Sequence, residues 1–97
     1  MNEKSVVERE FGISRDDFLR IFPRLAPTYK QLNEDVFHLE TEEFGRLVIR
    51  LSEQHYRQLG ALKIPYLDLI FEFEGSSEHQ RAEFFEKFER YFQKGGG

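Results

Sequence analysis

The last third of the chain carries two phenylalanine-rich stripes written in different periods, and together they constrain the fold more than any other feature. In "YLDLIFEFEG" (66–75), Leu67, Leu69, Phe71 and Phe73 alternate with Asp68, Ile70, Glu72 and Glu74. A period of two sets one group on each face of a strand. In "SSEHQRAEFFEKFERYFQK" (76–94), Phe84, Phe85, Phe88, Tyr91 and Phe92 recur at helical spacing and form one wide apolar face. A strand and a helix in succession, each with an aromatic face, bury both faces most simply by laying the helix on the strand's sheet. Gly75 ends the strand. Ser77 and Gln80 have the spacing of a reciprocal cap, which predicts a helix from about 77 to 94. The pairs Glu83 with Lys87 and Glu86 with Arg90, acid before base, add ~0.3 kcal/mol each.

Earlier in the chain the same two periods alternate. "SVVEREFGI" (5–13) sets Val7, Phe11 and Ile13 on one side, as in a short edge strand or an ordered arm. Ser14 caps a helix in which Asp16 and Asp17 face the positive end and Phe18, Ile21, Phe22 and Leu25 form the buried stripe. Pro23 predicts an end or a kink near Phe22. "EDVFHLET" sends Phe37 and Leu39 one way and Val36, His38 and Glu40 the other. "FGRLVIRLS" does the same with Leu47, Ile49 and Leu51 against Arg46, Val48 and Arg50, and "TEEFG" joins the two as a hairpin. "SEQHYRQLGAL" reads as one or two helical turns, capped by Ser52 and stopped by Gly60. The resulting order is (β)αββ(short α)βα. The predicted fold is α+β, a two-layer sandwich with a three- or four-stranded, mostly antiparallel sheet and two main helices on one face. Residues 1–94 make the single small domain and 95–97 a flexible glycine tail.

Such a sheet leaves its other face uncovered. His38, Glu40, Arg46, Val48, Arg50, Asp68, Ile70, Glu72 and Glu74 fall there, basic on one strand and acidic on another. Two readings stay open: a lattice of cross-strand ion pairs, or a docking surface with Val48, Ile70 and Val36 inside a charged rim. The second makes Arg46, Val48, Arg50, Ile70 and Glu72 the candidate residues for a protein partner or for self-association. Tyr56, Arg57 and Lys63, with Tyr66, are candidate contacts for a small anion near Gly60. The alternative there is a simple turn with Leu59, Leu62 and Ile64 tucked in.

Composition excludes several chemistries. The 97 residues contain no cysteine, which removes disulfides, thiol nucleophiles and thiolate metal sites. A net charge of -4 with interleaved signs disfavours nucleic acid. No stretch approaches the ~20 apolar residues of a membrane helix, and Met1 to Gly12 lacks the apolar core of a signal peptide. His38, His55 and His79 lie on separate elements without metal-ligand spacing. No nucleophile elbow or phosphate-binding glycine loop occurs. The expectation is a cytoplasmic, non-enzymatic protein that binds another protein, with no catalytic residue, metal, cofactor, nucleic acid or membrane partner. One alternative is a small-molecule-binding protein or enzyme with a site near Tyr56, Arg57 and Tyr66.

The closing "FERYFQKGGG" bears two resemblances. Gly96 and Gly97 resemble the ends of ubiquitin-like sulfur carriers and modifiers, which implies adenylation of the terminal carboxylate by an activating enzyme. The other alternative is therefore a carrier activated at its terminal glycines. Those proteins are β-grasp folds whose tail leaves a strand, whereas here the tail follows a helix. The chain as a whole, through "FGISRDDFLRIFPRL", "QLGALKIP" and "FERYFQKGGG", is similar to short uncharacterised bacterial proteins with a Phe-rich last helix and an FQ(R/K)GGG-like end. That resemblance implies native glycines and carries no activity.

Overall fold

The structure, a computed structural model, describes residues 4–95. Its elements run β1 (Lys4–Phe11), α1 (Arg15–Leu25), β2 (Lys30–Asn33), β3 (Val36–Thr41), β4 (Gly45–Leu51), β5 (His55–Leu59), β6 (Leu62–Glu74) and α2 (Glu78–Gly95). The strands form one antiparallel sheet in the order β1-β6-β4-β3-β2, with β5 pairing β6 off that path. The fold is α+β, as the periodicities predict.

Both helices lie on one face of the sheet because every apolar stripe ends there. Leu47, Ile49, Leu67, Leu69 and Phe71 are fully buried, as are Phe18 of α1 and Phe84 and Phe88 of α2. The space between the layers is filled by rings. Phe88 meets Phe92 at 4.3 Å, Phe11 at 5.0 Å, Phe71 at 5.2 Å, Phe84 at 5.7 Å and Phe18 at 6.5 Å between centroids. One α2 residue therefore touches α1 and two strands. Phe18 stacks on Phe92 at 5.4 Å, joining the helices directly.

The helix starts follow the local sequence. The Ser14 hydroxyl accepts from the Asp17 amide at 3.0 Å. At α2 the Ser77 hydroxyl accepts from the Gln80 amide at 3.1 Å while Gln80 Oε1 accepts from the Ser77 amide at 2.7 Å, which satisfies two otherwise unpaired donors. Glu86 pairs with Arg90 at 3.1 Å. Glu83 instead takes His79 at 2.9 Å, and Lys87 sits 5.8 Å above the Phe44 ring.

Three expectations change. α1 does not stop near Phe22 but runs through Pro23 to Leu25, and Ala26 N–H still reaches Phe22 O at 3.0 Å. The carbonyl that Pro23 leaves without its amide belongs to Leu19, on the exposed side of the helix, where water can replace the donor. The sheet has six strands rather than three or four. The added β2 is exposed at all four residues and has no apolar alternation to reveal it.

The largest change is at 52–60, where no helix forms. Leu51 pairs with Leu69 and His55 with Tyr66, so Ser52, Glu53 and Gln54 face only Leu67 and Asp68. β5 therefore continues β4 along the same edge of β6 after a one-residue bulge. The bulge is pinned by the Ser52 hydroxyl accepting from Asp68 N–H at 3.0 Å and by Gln54 Nε2 donating to Tyr66 O at 3.2 Å. Leu59 pairs with Leu62 across Gly60 and Ala61. Gly60 has φ +60 and, among the described residues, no non-glycine residue has positive φ, which makes this a type II′ turn, the kind that suits a two-residue hairpin. β1 ends opposite Leu67, so β5 and the first five residues of β6 project as a two-stranded arm, ~17 Å long at the usual strand rise. The molecule measures 50 × 23 × 21 Å.

Candidate interaction surface

The register sorts the open face into rows. Val6, Glu72, Val48, His38 and Lys30 stand abreast on β1, β6, β4, β3 and β2. Glu8, Ile70, Arg50 and Val36 form the next row, and Lys4, Glu74, Arg46 and Glu40 the one on the other side. The five sequence-predicted residues, Arg46, Val48, Arg50, Ile70 and Glu72, are thus brought together on the neighbouring strands β4 and β6. Val48 and Ile70 are half-buried, Val36 is buried, and Val6 is exposed. Val6 is the member of this patch that sequence reading missed. Its alternation with Val7 within β1 carries the signal, once β1 is known to pair with β6.

The charges around this apolar centre are interlocked. Arg50 Nε donates to Glu72 Oε2 at 2.8 Å, and Lys4 Nζ lies 3.5 Å from the other oxygen. Arg46 reaches Glu40 at 3.6 Å and Glu74 at 3.7 Å. The Arg50 hydrogen bond holds the Glu72 carboxyl below its ordinary range. Partial burial opposes that shift, and the charges of Arg50 and Lys4 reinforce it.

A depressed folded-state pKa gives a definite sign. Glu72 contributes stability in full above its unfolded value near 4.5, and the contribution is lost as pH falls through the lower folded value. Glu72→Gln is therefore expected to flatten the acid limb of the stability curve and to leave its slope above pH ~6 unchanged. Urea midpoints taken across that limb check this. An unchanged acid slope would mean that the pair is not formed in solution.

The anion-site candidates are not brought together. Arg57 shares a face of the arm with Ile64 and Tyr66, while Tyr56 and Lys63 belong to the opposite face. Arg57 is paired with Glu10 at 3.0 Å and lies 4.8 Å above the Tyr66 ring. The Glu10 hydrogen bond, followed by its charge, raises the Arg57 pKa further. Lys63 lies 4.6 Å above the Tyr56 ring. His55 stacks on Tyr66 at 5.1 Å and approaches Asp68 at 3.9 Å. Leu59, Leu62 and Ile64 are not tucked in. They are 54%, 66% and 37% exposed.

His38 and His79 sit on β3 and α2, far along the chain from His55 on β5. Among the described residues no three His, Asp or Glu side chains gather at metal-binding distance. Surface depressions include one of about 410 Å³ between α2 and the β3–β4 turn, bordered by Glu43, Phe44, Lys87 and Tyr91. Another, of about 150 Å³, lies on the open face beside Val48. No helix among the described residues is long and apolar enough to cross a membrane. Gly96 and Gly97 lie outside the described residues. Comparison with protein-family models, with curated proteins and with solved structures returns no match.

Proposed function

We propose that the chain is a non-enzymatic binding domain that presents the open sheet face, centred on Arg46, Val48, Arg50, Ile70 and Glu72, to another protein. The observation that carries this reading is the uncovered face itself, an apolar centre of Val6, Val48 and Ile70 inside a rim of paired charges. Interfaces favour such an arrangement, with an apolar middle and a hydrogen-bonding polar edge. Ion pairs this exposed stabilise the fold by less than ~1 kcal/mol each. They can therefore exchange partners with a docking chain at little cost.

A photo-crosslinking phenylalanine analogue at Val48, compared with the same residue at the exposed Leu19 of α1, tests the proposal in the cells that make the protein. Adducts of discrete mass are expected from position 48 and not from position 19. An adduct of twice the chain mass identifies the partner as a second copy. Adducts from position 19 alone would move the binding surface to the helices and end this reading.

A further inference from the structure

A second surface stands apart from the open-face centre. Among the described residues the large apolar side chains left exposed are Val6, Leu19, Leu32, Tyr56, Leu59, Leu62 and Ile64. Val6 belongs to the open-face centre, and Leu19 and Leu32 stand singly on α1 and β2, where scattered exposed residues are ordinary. The other four crowd onto one two-stranded arm. Between Glu53 and Asp68 the chain has no acidic residue, although eighteen of its 97 residues are acidic, and the charged side chains in that interval are Arg57 and Lys63. Apolar tip, basic residues and tyrosines follow in that order from the turn downward. Leu59 and Leu62 face each other across Gly60–Ala61, followed by Lys63 opposite Gln58, Arg57 opposite Ile64, Tyr56 opposite Pro65 and Tyr66 opposite His55.

We propose that the β5–β6 arm is a membrane-surface contact, with its Leu59–Leu62 tip entering the headgroup layer of an anionic bilayer. The sequence-based expectation assigns the chain no membrane partner. The arm supplies one that requires no spanning segment. Tyrosine rings and the alkyl stems of Lys and Arg suit the boundary between lipid and water, where one end is apolar and the other wet. Here the two cations already lie over the two tyrosine rings. The Arg57–Glu10 bond joins two half-exposed side chains, so lipid phosphate can replace the carboxylate with little loss.

The net charge of -4 argues against an anionic surface only if the whole domain approaches it. The arm's reach of ~17 Å exceeds the ~8 Å Debye length at physiological ionic strength. The acid-free tip therefore contacts lipid while the acids of the open face stay beyond the screening distance, Glu10 beside Arg57 being the exception. A second copy suits the arm less well. A stable interface takes ~20–30 residues a side, and the arm offers four exposed apolar ones.

Vesicle co-sedimentation of the full chain tests this, with phosphatidylcholine alone and with phosphatidylcholine containing phosphatidylserine. Binding to the anionic vesicles is expected to fall roughly tenfold or more in Leu62→Asp and to weaken as salt is raised. Leu32→Asp, an equally exposed change on β2, is expected to leave binding unaltered. A Tyr56→Trp variant keeps the tip intact and reads insertion directly as a blue shift with anionic vesicles. No sedimentation and no blue shift with either vesicle would overturn the proposal. So would vesicle binding that Leu62→Asp leaves intact. A dimer in sedimentation analysis that Leu62→Asp dissociates, without vesicle binding, would assign the arm to a protein contact instead.

Discussion

Phe88→Ala is expected to cost ~3–5 kcal/mol, the range for emptying a large aromatic site in a core. A domain of this size has ~5–15 kcal/mol in total, so one substitution removes about a fifth of it or more. The position is chosen by its neighbours. Phe88 is fully buried and its ring touches Phe11, Phe18, Phe71, Phe84 and Phe92. The gap it leaves borders both helices, β1 and β6, and these cannot all close inward at once without breaking the cap or the register. Chemical denaturation monitored by far-ultraviolet circular dichroism checks it. A loss under ~1 kcal/mol would mean that the ring layer is loosely packed. Phe85→Ala, at a site 7% exposed and covered by Arg9 at 4.1 Å, is expected to cost less.

The second large effect is at Arg15, a polar residue that ties three segments together. Its guanidinium donates to Ser52 O at 2.6 Å, to Glu34 O at 2.9 Å and to Asp35 Oδ1 at 2.7 Å. It thereby clamps the start of α1 to the β2–β3 turn and to the bulge between β4 and β5. Its own amide donates to Gln54 Oε1 at 2.7 Å, a bond that survives truncation of the side chain. Arg15→Ala is expected to cost ~2–3 kcal/mol, since hydrogen bonds to charged groups are the stronger kind and the Ser52 carbonyl loses its donor in a part-buried site. Arg15→Lys is expected to recover little of this. A single ammonium cannot span two carbonyls and a carboxylate with the planar fork of arginine. Thermal unfolding of the three proteins separates the cases, and full recovery by lysine would reduce the clamp to simple charge.

Legibility in the sequence followed burial. Strands with one apolar face, such as 67–73 and 47–51, announce their period because alternate residues must avoid water, and α2 does so at 3.6. The arm and β2 carry no such mark. Tyr56, Gln58 and Leu59 are exposed whichever face they occupy, so no contrast between faces is written into "HYRQL", and Ser52 and Gly60 suit a capped helix as well as a bulge and a hairpin turn. What decides is pairing with β6, which single-segment periodicity does not contain. The open face was legible because Arg46, Val48 and Arg50 oppose a buried set. The arm's exposed leucines were not, although the missing acids between Glu53 and Asp68 were there to be counted. Arg15 was invisible for the opposite reason: the partners of its guanidinium lie 19 to 37 positions away, and two of the three are backbone carbonyls.

The pairing of β1 with β6 has a consequence for synthesis. Val7 finds Phe71 and Phe11 finds Leu67, so β1 leaves the ribosome well before β6, the strand it pairs with. At ~5–20 residues per second the interval is roughly 3–13 s, during which β1 has neither its strand partner nor the α2 rings that cover Phe11. The alternating charges of Lys4, Glu8, Arg9 and Glu10 keep that waiting strand from pairing with its counterpart on a neighbouring nascent chain.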